Sequence, residues 1–294
     1  MSAFRRTSVN YTIMNFHKVC ALLLLVGSAA CGSSDREYTL QGQILSIEPN
    51  RLQADVKHEE IKGFMAAMTM PYKVRDAKEL ADLKPGDLIT STLVVVSNDA
   101  YLKDVKKVGE APLENPSASS APSASSGFEL LKPGEPIPDV PMLDQEGRKT
   151  SLASLKGKTV VLTFIYTQCP LPTFCPLMDR HFVTIQERLE ADPARVRVHL
   201  ATVSFDPVTD TPPVLKKHAE RLGADTTRWT FYTGDRDDVD RFASRFGVTI
   251  ARDLSDPKNI THNLRTAIID PDGKLVKLYT GNEWTPDQIL ADLK

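Results

Sequence analysis

No excess of basic charge marks this chain. Its 36 Lys and Arg stand against 38 Asp and Glu, a net charge of −2, which gives no electrostatic footprint for nucleic acid. No CxxCH haem-attachment run and no Walker or Rossmann glycine loop occurs, so haem, nucleotide and hydride chemistry are disfavoured. The apolar run that begins at Val19, VCALLLLVGSAA, is too short to span a bilayer comfortably. Cysteine is scarce, with four in 294 residues. What remains is an ordinary globular composition, 41% hydrophobic and 25% charged, long enough for about two domains at roughly 150 residues each.

The run at Val19 follows the positively charged MSAFRRTSVNYTIMNFHK and ends in GSAAC. This order reads as an export signal over residues 1–30. It resembles the bacterial lipobox, in which the cysteine, here Cys31, is acylated and becomes the new N-terminus. Ser28 stands where leucine is usual. Plain cleavage after SAA is the other reading, and it leaves Cys31 as an odd exposed thiol on an exported protein. Cys20 departs with the signal. A lipid-anchored chain would face the periplasm or the cell surface, where a disulfide between the remaining pair, Cys169 and Cys175, can form and persist.

SASSAPSASSG, Ser117 to Gly127, cannot bury a core and reads as part of a flexible linker over 110–127. It divides a front module, 38–109, from a back module, 128–294. In the front module YTLQGQILSI, RLQADVKHEEI, MTMPYKV, DLITSTLVVVS and AYLKDVKKV are separated by Pro, Gly and Asn-Asp turn signals. They predict a small all-β five-stranded barrel of the OB-like kind, since closure removes exposed edges. The back module alternates. TVVLTFIYT reads as a buried parallel strand. A helix follows over Pro176–Glu190 with Leu177, Phe182, Ile185 and Leu189 as its apolar stripe. Next come a second strand in VRVHLATVSF and a helix over Pro212–Leu222 capped by Asp210 or Thr211. A short strand in WTFYTG, a helix over Asp237–Phe246, a hairpin turning at DPDG and a closing helix complete the order. This is a multidomain chain: a β-barrel, then an α/β thioredoxin-like domain.

Cys169 lies at the end of the buried strand. Cys175 lies at the mouth of the following helix, where free amides and the helix dipole favour a thiolate. Such a pair can hold a soft metal, form a disulfide, or alternate between the two. His262, in NITHNLRTAIIDPDGKL, is placed in a polar loop just before a predicted core strand. CP…CP, VSFDPVTDTPPVLKKHAERLG, WTFYTGD and THNLRTAIIDPDGKL occur in that order. Together they resemble the Sco/SenC family of copper chaperones in cytochrome oxidase assembly, from Pro133 to Lys294. The resemblance implies a copper site of two thiolates and one imidazole, carried over to Cys169, Cys175 and His262. Asp206 matches an acidic position near that site. Thiolates favour Cu(I), and the added imidazole admits Cu(II). The family usually shows C-P-x-x-C, whereas here PLPTF puts five residues between the cysteines.

In the front module, HEEIKGFMAAMTMPYKV sets Met65, Met68 and Met70 downstream of His58. Met68 and Met70 are two apart and project from one face of a strand. Thioethers select Cu(I), or they simply fill a small core. The stretch resembles periplasmic copper-binding proteins of the CusF type. That resemblance implies His58, Met68 and Met70 as ligands. Met65 stands where that family has a tryptophan over the metal, and is read as an extra ligand or an apolar lid.

The expected function is that of a membrane-anchored copper metallochaperone. It would deliver Cu(I)/Cu(II) to an extracytoplasmic acceptor, the copper-bearing subunit of cytochrome c oxidase or another copper protein. The alternative is a thiol–disulfide oxidoreductase with Cys169 and Cys175 as its redox-active pair. Copper sequestration for tolerance is a third reading.

Overall fold

The computed structural model describes residues 35–48, 52–65, 67–113, 129–192, 195, 197–252 and 260–293. Cys20, Cys31 and most of the expected linker lie outside them. Asp35–Lys294 forms one compact unit. No helix among the described residues is long and apolar enough to cross a membrane.

Five strands build the front module: β1 (Arg36–Glu48), β2 (Gln53–His58), β3 (Met68–Val74), β4 (Asp87–Val95) and β5 (Ala100–Glu110). β1 pairs with β2, β2 with β3, β3 with β5, β5 with β4, and β4 returns to β1, so the sheet closes. The alternation in the sequence sets the two faces. In β4, Asp87, Ile89, Ser91 and Leu93 point inward while Leu88, Thr90 and Thr92 are part-exposed. The inward Asp87 carboxylate is fully buried and is met by the Lys107 ammonium at 2.8 Å, which holds its pKa below the usual carboxylate value. β5 runs to Glu110, one residue past the expected module boundary.

The back module is a seven-stranded sheet in the order β14-β13-β8-β9-β10-β6-β7. Its strands are β6 (Met142–Asp144), β7 (Lys149–Thr150), β8 (Thr159–Ile165), β9 (Val198–Ser204), β10 (Trp229–Thr233), β13 (Arg265–Ile269) and β14 (Leu275–Thr280). A separate ribbon pairs β11 (Ile250–Arg252) with β12 (Ile260–His262). β8, β9 and β10 are parallel. Parallel neighbours need crossovers, supplied by α1 (Cys175–Glu190) and α2 (Pro212–Leu222); α3 (Arg236–Arg245) and α4 (Pro286–Asp292) follow. Every residue of β9 is buried, as a strand covered on both faces requires.

α1 buries Met178, Phe182, Ile185 and Leu189. The stripe therefore starts at Met178 rather than Leu177, which is part-exposed. α2 begins as expected after Thr211, which makes no side-chain cap. Asp210 is turned inward instead and is fully buried. It accepts the backbone N–H and hydroxyl of Thr167 and the hydroxyl of Ser204, tying the turn after β8 to the end of β9.

Candidate metal centres

The back centre is assembled where β8 gives way to α1. After Ile165 the chain turns, and the Cys169 N–H donates to the Tyr166 carbonyl at 3.4 Å. Two features hold the loop between the cysteines. Leu171 and Phe174 are buried side chains. The Pro172 and Thr173 carbonyls accept from Arg180 at 2.9 Å and Asn282 at 2.8 Å. Cys175 then opens α1 with Pro176 in its first turn.

His262 arrives from the other side. It is not in a loop but in β12, opposite Ile250 of β11. The next residue of β11, Ala251, pairs Thr261, and Arg252 is anchored by the Asp240 carboxylate and the Phe205 carbonyl. The aromatic rings of Tyr166, Phe174 and Phe205 lie around the imidazole, with centroids at 5.5, 6.3 and 4.6 Å. His262 Nε2 stands 3.5 Å from Cys175 Sγ. The two sulfurs and a ring nitrogen all lie within 4.8 Å of one another, close enough for a small inward shift to bring all three onto one ion at Zn- or Cu-like bond lengths of roughly 2.0–2.3 Å.

The expectation that the helix mouth makes Cys175 the thiolate is reversed. Cys175 is 1% exposed, and burial pushes its pKa well above the ordinary thiol value. Cys169 is half-buried. A hydrogen bond from the Cys175 thiol holds Cys169 well below the ordinary value. Both cysteines are free thiols. Asp206 sits in the loop after β9, next to Phe205. Its N–H donates to Ser204 Oγ and its carboxylate accepts from the Thr209 N–H, and it lies outside the three-residue cluster.

In the front module, His58 ends β2 directly opposite Met68 of β3, and Met70 is opposite Val56. His58, Met68 and Met70 therefore share one face of neighbouring strands. His58 and Met70 are buried and Met68 is half-buried. On the other side of β2, Gly42 pairs with His58. A Cβ there would lie 2.8 Å from His58 Cα and 2.7 Å from the Lys57 carbonyl oxygen, so this approach needs glycine.

The His58 imidazole is 2% exposed. Its Nδ1 is 2.7 Å from the Glu59 carbonyl oxygen, and a carbonyl can only accept, so the proton is on Nδ1. Nε2 therefore carries the lone pair, and it has no hydrogen-bond partner among the described residues. Leaving such a group unsatisfied costs about 1–3 kcal/mol. Burial holds the pKa of His58 below 6.5, which keeps that lone pair available. The donor set of one imidazole and two thioethers suits a soft monovalent metal. Met65 does not stand free. Its Sδ accepts from the Tyr72 hydroxyl at 3.7 Å, and the Tyr72 ring meets His58 edge-on at 5.6 Å.

Sequence reasoning missed Tyr166, Phe205 and Tyr72. Tyr72 was legible as the next inward residue after Met68 and Met70. Phe205 was not, because its approach to His262 joins distant segments.

Residues 138–294 match the model of the SCO1/SenC family. The chain belongs to that family. Residues 37–107 match a second model, the copper binding periplasmic protein CusF, and copper is the metal that this description names. An SCO1 protein homolog of Bacillus subtilis is 35% identical over 153 residues, 51% of this chain and 77% of that protein. An SCO2-like protein of Rickettsia felis is 28% identical over 160 residues, 53% of this chain and 74% of its own. The crystal structure of a SCO1/SenC family lipoprotein from Bacillus anthracis is 26% identical, with a TM-score of 0.49 over 56% of this chain and 96% of that one.

Proposed function

We propose that this protein is a membrane-anchored copper metallochaperone with two sites, His58–Met68–Met70 for Cu(I) and Cys169–Cys175–His262 for Cu(I) or Cu(II). The carrying observation is the convergence of both thiols and the His262 ring nitrogen within 4.8 Å. Copper is cargo here. Two thiolates hold Cu(I), and the imidazole extends the site to Cu(II). The Sco membership favours the copper centre of cytochrome c oxidase as the acceptor, and export with acylation at Cys31 would hold the chain at the membrane face where that centre lies. Asp206 stands in the adjoining loop, one residue from Phe205, whose ring packs on His262.

Copper counting on the reduced full chain tests this. Two ions per chain are expected, falling to one in Cys169→Ser/Cys175→Ser and to one in Met68→Leu/Met70→Leu. Leucine conserves volume, so the second variant should lose less than about 1.5 kcal/mol of stability. Unchanged stoichiometry in either variant overturns the assignment of that site.

The depressed Cys169 thiol favours one second reading, thiol–disulfide exchange. Cys169 would attack an acceptor disulfide and Cys175 would resolve the mixed disulfide. Two electrons and two protons would pass to the acceptor thiols. Reductase turnover that survives His262→Ala while copper binding is lost at no variant would favour it.

A further inference from the structure

We propose that Tyr166 tunes the redox balance of the cysteine site, by donating its hydroxyl proton in a hydrogen bond to the Cys169 sulfur. One of the two consequences drawn below rests on the copper reading of that site. The other needs only the sulfurs.

A tight turn brings the two side chains together. β8 ends at Ile165, and Tyr166 follows directly. The Cys169 N–H donates to the Tyr166 carbonyl, closing a four-residue turn whose end Cα atoms lie within about 7 Å. The turn is pinned at its second residue, where the Asp210 carboxylate accepts both the N–H and the hydroxyl of Thr167. Tyr166 is buried, with its ring 5.5 Å from that of Phe205 and edge-on to His262 at 5.5 Å. The ring therefore lies along the site. Its hydroxyl is hydrogen-bonded to the Cys169 side chain, and Cys175 and Asp206 lie near enough to act on it by charge.

A hydrogen bond to an ionised group is roughly twice as strong as one between neutral groups. Copper ligation requires Cys169 as a thiolate. A donor on that sulfur draws electron density from it, and Cu(II) depends on that density more than Cu(I) does. The hydroxyl thus shifts bound copper toward Cu(I), as hydrogen bonding around a cysteine sulfur does elsewhere. The same bond acts with no metal present. A thiolate accepts it well and a disulfide sulfur poorly. It therefore stabilises the reduced pair and makes the disulfide easier to reduce.

Tyr166→Phe tests this, because it keeps the ring against Phe205 and His262 and removes only the hydroxyl. The first measurement uses the full chain without copper. The protein disulfide takes two electrons and two protons from two glutathione molecules, giving the dithiol and one glutathione disulfide. At a fixed glutathione poise, the ratio of reduced to oxidised protein should fall about tenfold in Tyr166→Phe, equal to about −30 mV for two electrons. The second measurement is competition titration of the reduced chain with each copper ion. The ratio of Cu(II) to Cu(I) affinity should rise about tenfold, equal to about −59 mV for one electron, and the thiolate-to-Cu(II) absorption should move to longer wavelength. A ring-fluorinated tyrosine installed at position 166 is a stronger donor and should shift both ratios the other way. An unmoved glutathione equilibrium in Tyr166→Phe, or shifts of the same sign in the phenylalanine and fluorinated variants, overturns the proposal. If the wild type takes up no copper at the cysteines while the glutathione equilibrium still moves as expected, the copper reading fails and the hydrogen bond stands.

Discussion

His58 and His262 present their rings in the same way. In each, Nδ1 lies against the carbonyl of the next residue, Glu59 at 2.7 Å and Asn263 at 2.9 Å. The carbonyl fixes the proton on Nδ1 and leaves the lone pair on Nε2, the outer-shell arrangement that metal-binding imidazoles favour. Two modules of unrelated architecture reach it with the shortest partner the chain can offer.

His262→Ala should therefore weaken Cu(II) binding at the back site by more than the roughly 10–100-fold typical of losing an outer-shell partner. Oxidation of Cys169 and Cys175 to the disulfide should continue, since exchange needs only the sulfurs. Cu(II) titration beside a thiol count on the same variant checks both. Equal loss of both functions would show that His262 organises the loop rather than binding metal.

Gly42→Ala should damage the front site without replacing a ligand. The added Cβ collides with the backbone at Lys57 and His58, and overpacking of this kind costs about 1–3 kcal/mol. Cu(I) affinity at His58–Met68–Met70 should fall while the cysteine site keeps its own. Competition titration of each site reads this directly.

Alkylation should separate the two thiols. Cys169 is half-buried and its thiolate is stabilised, whereas Cys175 is buried and raised. The thiolate is the nucleophile. Iodoacetamide at neutral pH should label Cys169 at least tenfold faster, as peptide mass spectrometry of timed samples will show. Equal labelling would mean that the pair opens faster than it reacts.

Acid stability should carry the mark of His199. Burial, with Lys158 nearby, pushes its pKa down to about 4 from 6.5. Its ring meets Thr230 Oγ1 at 2.9 Å. The folded value lies below the unfolded one, so between pH 6.5 and 4 the unfolded chain binds the extra proton. Stability is full above 6.5 and declines as pH falls through that window, by up to about 3 kcal/mol at 1.36 kcal/mol per pKa unit. Urea unfolding of His199→Gln across the window should show a shallower decline by about one proton.

Much of this was legible in the sequence because the signals are local. The five barrel strands alternate, α1 and α2 carry a proline in the first turn and an apolar stripe, and the β13–β14 hairpin carries its turn. The short β6, β7, β11 and β12 have two or three residues each, too few to show a period, which is why His262 was expected in a loop. The reversal of the two thiols was hidden for another reason. A helix mouth favours a thiolate, but at Cys175 the loss of solvent is the larger effect, and burial is a property of the packed fold.

The five residues between Cys169 and Cys175 make a longer span than the family spacing, yet two of them are prolines with φ already fixed. Leu171 and Phe174 are buried, and the Pro172 and Thr173 carbonyls are held. Ordering a free residue costs about 1–2 kcal/mol of conformational entropy. Here that ordering is accomplished by folding, before any ion arrives. The longer span is thus a stiff one, and an ion bound between its sulfurs would meet a preset bond geometry rather than the statistics of loop closure.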